Sequence, residues 1–256
     1  MKMNTMREEC EIILAEAKKQ KVLLRVIGGM AVHLHCPQSS LLPALKREYG
    51  DLDFVTASPD DQHMRRFFES IHYGTNTRFN ALQGKSRMLF NSPDDTWHID
   101  IFINEFRMCH NIKFNKNRLM QDPITIPLAE LFLTKLQIVE INAKDVKDVA
   151  AILIEHTSGD NDNETLNIHR IIEITSHDWG FFTTVRMNID KIPALLETIR
   201  LPDKENTIVV NRLADIANAM DAASKSTRWK LRAIIGKSQK WYEEPEDAAR
   251  DELKLE

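Results

Sequence analysis

Apolar residues change their spacing several times along the chain, and each change marks an element. The first 20 residues are charged throughout, with Ile12, Ile13, Leu14 and Ala17 as an apolar stripe, and predict an amphipathic helix. Val22-Leu23-Leu24-Arg25-Val26-Ile27 is a nearly continuous run stopped by Gly28-Gly29, which predicts a buried strand. Met30 to Cys36, closed by Pro37, reads as a short helix. A loop carrying Pro43 leads to a second strand, Asp51-Leu52-Asp53-Phe54-Val55. Ser58-Pro59-Asp60-Asp61 then supplies an N-cap, a proline for the first helical position and first-turn acids. The helix it opens buries Met64, Phe67, Phe68 and Ile71.

Beyond that helix the period drops to two. Ser86 to Phe90 and Thr96 to Ile103 flank the turn cluster Asn91-Ser92-Pro93-Asp94-Asp95 and predict an antiparallel pair. From Leu128 the spacing is helical in the segments 128–141, 144–155, 164–174, 190–199 and 209–220. With Pro123 and Pro127 bracketing the change, an α+β domain over 1–122 precedes an all-helical domain over 123–256.

A length of 256 residues and 43% hydrophobic content suit a globular protein of one or two domains. The net charge of -4 excludes an overall polybasic nucleic-acid coat but leaves room for local basic surface. Cys10, Cys36 and Cys109 are odd in number and widely spaced, which fits inert buried thiols in a reducing cytoplasm rather than a zinc pair or a disulfide framework. No apolar run approaches the roughly 18–20 residues of a membrane span, and the N-terminus lacks the apolar core of a signal peptide. These features predict a soluble, cytoplasmic chain. Lys225, Arg228, Lys230, Arg232, Lys237 and Lys240, followed by Glu243, Glu244, Glu246 and Asp247, form either a solvated helix with a frayed tail or a site for an anionic partner.

Residues i and i+2 of a strand share a face, so Asp51 and Asp53 project together. Two bare carboxylates repel, and a divalent cation that prefers oxygen ligands relieves the repulsion. Upstream, Gly28 and Gly29 let the backbone approach a phosphate at a helix N-terminus, or simply turn the chain from strand to helix. In Trp97-His98-Ile99-Asp100-Ile101-Phe102-Ile103, Asp100 shares the His98 face, where it needs a partner or a rim position. His33 and His35, two apart on a predicted helix, do not share a face and are a poor zinc pair. Trp179-Gly180-Phe181-Phe182 reads as helix-packing core more readily than as a base-stacking platform.

This arrangement resembles the polymerase-β-like nucleotidyltransferase superfamily, and within it the AbiEii-like branch, which includes abortive-infection toxins. The matching residues are Val26-Ile27-Gly28-Gly29-Met30-Ala31, Arg47, Asp51-Leu52-Asp53-Phe54, Lys135, and Ala143-Lys144-Asp145-Val146-Lys147-Asp148. The resemblance covers residues 22–155 and departs from the branch's pattern in a longer stretch from Gly29 to Asp51, in Tyr49 and in Asn142. It implies that the α+β domain is a nucleotidyltransferase mixed sheet flanked by helices, and that Asp51, Asp53 and Asp100 hold two Mg²⁺ (or Mn²⁺) ions around a nucleoside triphosphate such as ATP. It further implies that Gly28, Gly29, Arg47, Lys135 and Asp148 bind the nucleotide, and that a nucleoside monophosphate passes to a hydroxyl of RNA (tRNA included), protein or a small molecule with release of pyrophosphate. Two other roles stay open: a catalytically silent nucleotide-binding module or regulator of a toxin–antitoxin type system, and a metal-dependent phosphoesterase.

Overall fold

The computed structural model describes residues 3–57 and 61–244. The helix start expected at Ser58-Pro59-Asp60 lies outside the described residues, as do Glu246 and Asp247. The chain forms two compact units. The first comprises residues 1–35, 47–106 and 113–127, and the second residues 36–46, 107–112 and 128–256. Two segments that precede the expected cut at 122/123 therefore belong to the second unit.

In the first unit, α1 (Met3–Lys19) leads to β1 (Arg25–Ile27) and α2 (Gly28–His35), followed by β2 (Asp51–Thr56) and α3 (Asp61–Ser70). Next come β3 (Gly74–Thr75), α4 (Thr77–Gln83), β4 (Arg87–Asn91) and β5 (His98–Ile103). A two-stranded ladder of β6 (Glu105–Arg107) and β7 (Asn111–Lys113) follows in the chain, with residues 107–112 assigned to the second unit, and the one-turn α5 spans Lys116–Leu119. β1 is shorter than the strand expected from Val22, and α2 begins at Gly28 rather than Met30. The stripe of α1 also differs from expectation. Met6, Cys10, Ile13 and Ala17 are buried, whereas Ile12 is 55% exposed.

The five-stranded sheet has the order β1-β2-β5-β4-β3 and is mixed, because β2 and β5 run parallel while the other pairs are antiparallel. Its register sorts side chains by face. Val26, Phe54, Ile101 and Met88 form one row across four strands, and Leu52, Ile99 and Phe90 form the next. All seven are fully buried, and Phe90 stacks on Phe68 of α3 at 4.3 Å. Each such side chain contributes roughly 1.5–3 kcal/mol by leaving water, so this face stabilises the unit substantially. The opposite face carries the row Ile27-Asp53-Asp100-Leu89 and, beside it, Asp51-His98-Asn91. On the outer side of β1, Val26 N–H donates to Ile124 O and its carbonyl accepts from Ile126 N–H, so the segment before Pro127 covers that edge.

The second unit contains α6 (Leu128–Leu136), α7 (Ala143–Glu155), α8 (Ile168–His177), α9 (Trp179–Ile199), α10 (Asp203–Ala222) and α11 (Thr227–Ile235). It is not purely helical, since β8 (Ser158–Gly159) and β9 (Leu166–Asn167) pair in parallel ahead of α8. Asn142 caps α7 by accepting from Lys144 and Asp145 N–H, and Arg212 donates to Leu153 and His156 carbonyls at its other end. Short 3₁₀ turns at Ser39–Leu41 and Pro43–Leu45 pack on α7. They are held by Ser39 N–H to Glu155 and by Lys147 Nζ to the Lys46 carbonyl at 2.9 Å. Buried Glu130 accepts from Arg170 at 2.7 Å. Among the described residues, no helix is long and apolar enough to cross a membrane.

His110 lies in this unit, stacked on Phe181, with Nε2 2.8 Å from Thr184 Oγ1. Trp241 Nε1 donates to the same hydroxyl at 3.1 Å. Burial lowers the His110 pKa from 6.5 to about 4, against a weaker opposing pull from Asp178. The unfolded chain thus takes up this proton first on acidification. The stability is fully present above pH 6.5 and is lost as pH falls towards 4, by up to roughly 3 kcal/mol. Urea denaturation at pH 7.5 and 4.5 is expected to show that loss in the wild type and a smaller loss in His110→Gln. Equal losses would remove His110 as a cause.

Candidate active site

The site lies within the first unit and is built from the polar face of the sheet. Asp53 of β2 stands opposite Asp100 of β5, and Asp51 stands opposite His98, because parallel pairing puts each pair side by side on one face. The sheet thus brings together the three carboxylates that the alternation pattern placed on common faces. Asp51 is exposed, Asp53 is half-buried and Asp100 is 1% exposed.

Asp100 has the partner its setting demands. Arg87 of β4 donates from Nε to Asp100 Oδ1 at 3.0 Å, and both side chains are buried. The guanidinium also lies 5.0 Å from the Phe102 ring centroid. His98 Nε2 sits 3.6 Å from Asp100 Oδ2 and 4.0 Å from Asp51 Oδ2, so it stands between two of the acids. Sequence reasoning flagged His98 and missed Arg87. A signal was present, because a hairpin register that sets Asn91 against His98 puts Arg87 on the Asp100 face.

The Gly-Gly turn meets the same acids. Gly28 has φ +75°, a left-handed backbone that other residues adopt at a cost, and a Cβ there would collide with Asp53 Oδ2. A Cβ at Gly29 would fall 2.7 Å from Arg47 Nη2. Both glycines therefore make room for a charged side chain at the first turn of α2. The Arg47 guanidinium lies 4.9 Å from the Tyr49 ring centroid, and Tyr49 in turn packs on His33. Gly28→Ala is expected to destabilise the protein by about 1–3 kcal/mol, from the strained backbone plus displacement of Asp53. A wild-type urea midpoint for Gly28→Ala would show that neither constraint acts.

Lys135 and Asp148 lie in the second unit. Lys135 Nζ is 2.9 Å from Asp148 and 3.5 Å from Asp145. Asp148 is 2% exposed, so it is not a solvated helix acid. His33 and His35 have separate surroundings, since His35 bonds Thr125 within 2.5 Å. The three cysteines are free and buried, and burial pushes the Cys10 thiol up to about 12 and raises Cys36, which suits inert thiols. In the 179–182 cluster, Phe181 is core and Phe182 packs edge-on against Trp229. The basic run is largely engaged internally. Lys225 caps the end of α10 through the Met220 carbonyl, Arg232 binds the Gly236 carbonyl, Lys237 lies over the Trp241 ring and Lys240 pairs with Glu244.

Chemically, three carboxylates on adjacent strand positions form an oxygen-only donor set, which suits a hard divalent cation. Arg87 Nε holds Asp100 Oδ1, and His98 Nε2 lies 3.6 Å from Asp100 Oδ2. A scan of protein-family models and searches of curated proteins and solved structures found no match to this chain.

Proposed function

We propose that the chain is a metal-dependent nucleotidyltransferase that moves a nucleoside monophosphate from a nucleoside triphosphate to a hydroxyl acceptor on RNA, protein or a small molecule. The observation that carries this reading is the pairing of Asp53 with Asp100 across parallel strands, with Asp51 one step along and Gly28 opening space for Asp53. The resemblance of these motifs to the polymerase-β-like superfamily adds to it.

Asp51, Asp53 and Asp100 would hold Mg²⁺ or Mn²⁺. Bound there, the cations supply charge stabilisation and a lowered pKa for the acceptor hydroxyl. The chain's own residues do the rest. Gly28 and Gly29 let Asp53 and Arg47 close onto the first turn of α2, where Arg47 would neutralise phosphate charge. Arg87 fixes the Asp100 carboxylate, so the site is organised before substrate arrives. Lys135 and Asp148 are further candidates from the resemblance, and the proposal stands on the first unit without them.

One observation favours a second reading, a nucleotide-binding module without turnover. Asp100 is buried and already neutralised by Arg87, an arrangement that serves the fold whether or not a cation binds. Incubation with each α-labelled triphosphate and Mg²⁺, against total tRNA, cell protein and small hydroxyl compounds, separates the two. Labelled acceptor plus pyrophosphate is the expected result. Binding of triphosphate without product would favour the module, and labelled monophosphate released to water would indicate a phosphoesterase.

A further inference from the structure

We propose that α11 is a docking surface for an acidic amphipathic helix of a partner protein. Not one residue of this helix is buried. Leu231, Ile234 and Ile235 are 62%, 82% and 44% exposed. At three- and four-residue spacing they form a single apolar stripe. Elsewhere among the described residues, exposed large apolar side chains are spread over other segments, at Ile12, Leu41, Leu82, Met120 and Ile124.

The helix is fixed with this stripe outward. Ser226 caps it by accepting from Trp229 N–H, and the Trp229 ring meets Phe182 edge-on at 5.2 Å. Arg232 lies 4.6 Å from the Trp179 centroid and donates to the Gly236 and Gln239 carbonyls. These contacts occupy the inner face, so the stripe is presented rather than frayed. Successive residues of a helix turn by about 100°, which puts Arg228 on one flank of the stripe and Lys230 on the other. Both are exposed. The sequence has no acid between Asp221 and Glu243, so the charge that α11 itself brings to these flanks is basic.

Charge and shape together select the partner. An apolar stripe three and four residues apart matches the ridge of one facing helix, and cationic flanks match carboxylates beside that helix's own stripe. A second copy would set Arg228 and Lys230 against their own kind. Single-stranded RNA stacks its bases on aromatic side chains, and the stripe offers aliphatic ones. A bilayer anchor needs a longer apolar face than a stripe of little more than one turn. Nothing in this surface requires the carboxylates of the first unit to be catalytic.

Fluorescence anisotropy of the full chain with a labelled helical peptide, leucines along one stripe and glutamates on its flanks, tests the proposal. Saturable binding that weakens with salt is expected. Leu231→Ser with Ile234→Ser should lower affinity about tenfold or more, as the lost apolar area requires. Arg228→Glu with Lys230→Glu should lower it too and remove the salt dependence. All four positions are exposed, so the fold is expected to be unchanged, with wild-type melting. Unchanged peptide affinity in the Ser pair would overturn the proposal. So would tighter binding of a lysine-flanked peptide, of single-stranded RNA or of phosphatidylserine vesicles through these residues, or a dimer of the chain that the Ser pair breaks.

Discussion

Asparagine in place of Asp53 is expected to lower nucleotidyl transfer by on the order of a thousandfold, the loss that follows when several kcal/mol of metal-borne charge stabilisation is removed. The position explains the choice. Asp53 is the central carboxylate, with Asp100 directly opposite and Asp51 on the same strand face. Asn keeps the shape that Gly28 accommodates but gives up the charge a cation needs. In the absence of metal the variant is expected to stay folded, because Asn fills the same space beside Gly28. Adding Mg²⁺ with a non-hydrolysable triphosphate should then stabilise the wild type and leave the variant where it was. Wild-type turnover by Asp53→Asn would end the nucleotidyltransferase reading, however well the site resembles one.

Much of this site was legible because β-structure has a period of two. Asp51 and Asp53 had to share a face once Leu52 and Phe54 were assigned to the core, and Asp100 had to leave the face of Ile99 and Ile101. The hairpin between β4 and β5 followed from its turn cluster. What alternation cannot give is the pairing of strands distant in sequence. That Asp53 faces Asp100 depends on β2 and β5 being parallel neighbours, which no local pattern encodes. The stripe of α1 was misread because apolar residues 12, 13 and 14 run consecutively and spread around the helix. The buried set uses Cys10 and Met6, about one and two turns before Ile13. β8 and β9 have two residues each, too few to show any period. The segment 36–46 joined the second unit through contacts such as Lys147 Nζ to the Lys46 carbonyl, a long-range bond that composition does not announce.

The second large effect concerns stability and decides how Asp100 variants are to be read. Arg87→Met is expected to cost about 3–5 kcal/mol, because it leaves a buried carboxylate without its cation. Arg87→Met combined with Asp100→Leu should cost much less, since no buried charge is stranded and both side chains remain apolar in a closed setting. Urea denaturation of the wild type, both single variants and the double variant closes the cycle. A double variant as unstable as the sum of the singles would show that the 3.0 Å contact carries no coupling. With strong coupling, lost turnover in Asp100→Asn has two causes, a missing ligand and an Arg87 without its counter-charge. Asp51 is free of that ambiguity, because it is exposed at the start of β2 and no buried arginine pairs with it among the described residues. Chemistry is therefore most cleanly probed at Asp51, and Asp100 has to be judged with Arg87 as a unit. If the unit is replaced by the apolar pair, the fold should survive while cation binding weakens, which separates what the third acid does for the sheet from what it does for the reaction.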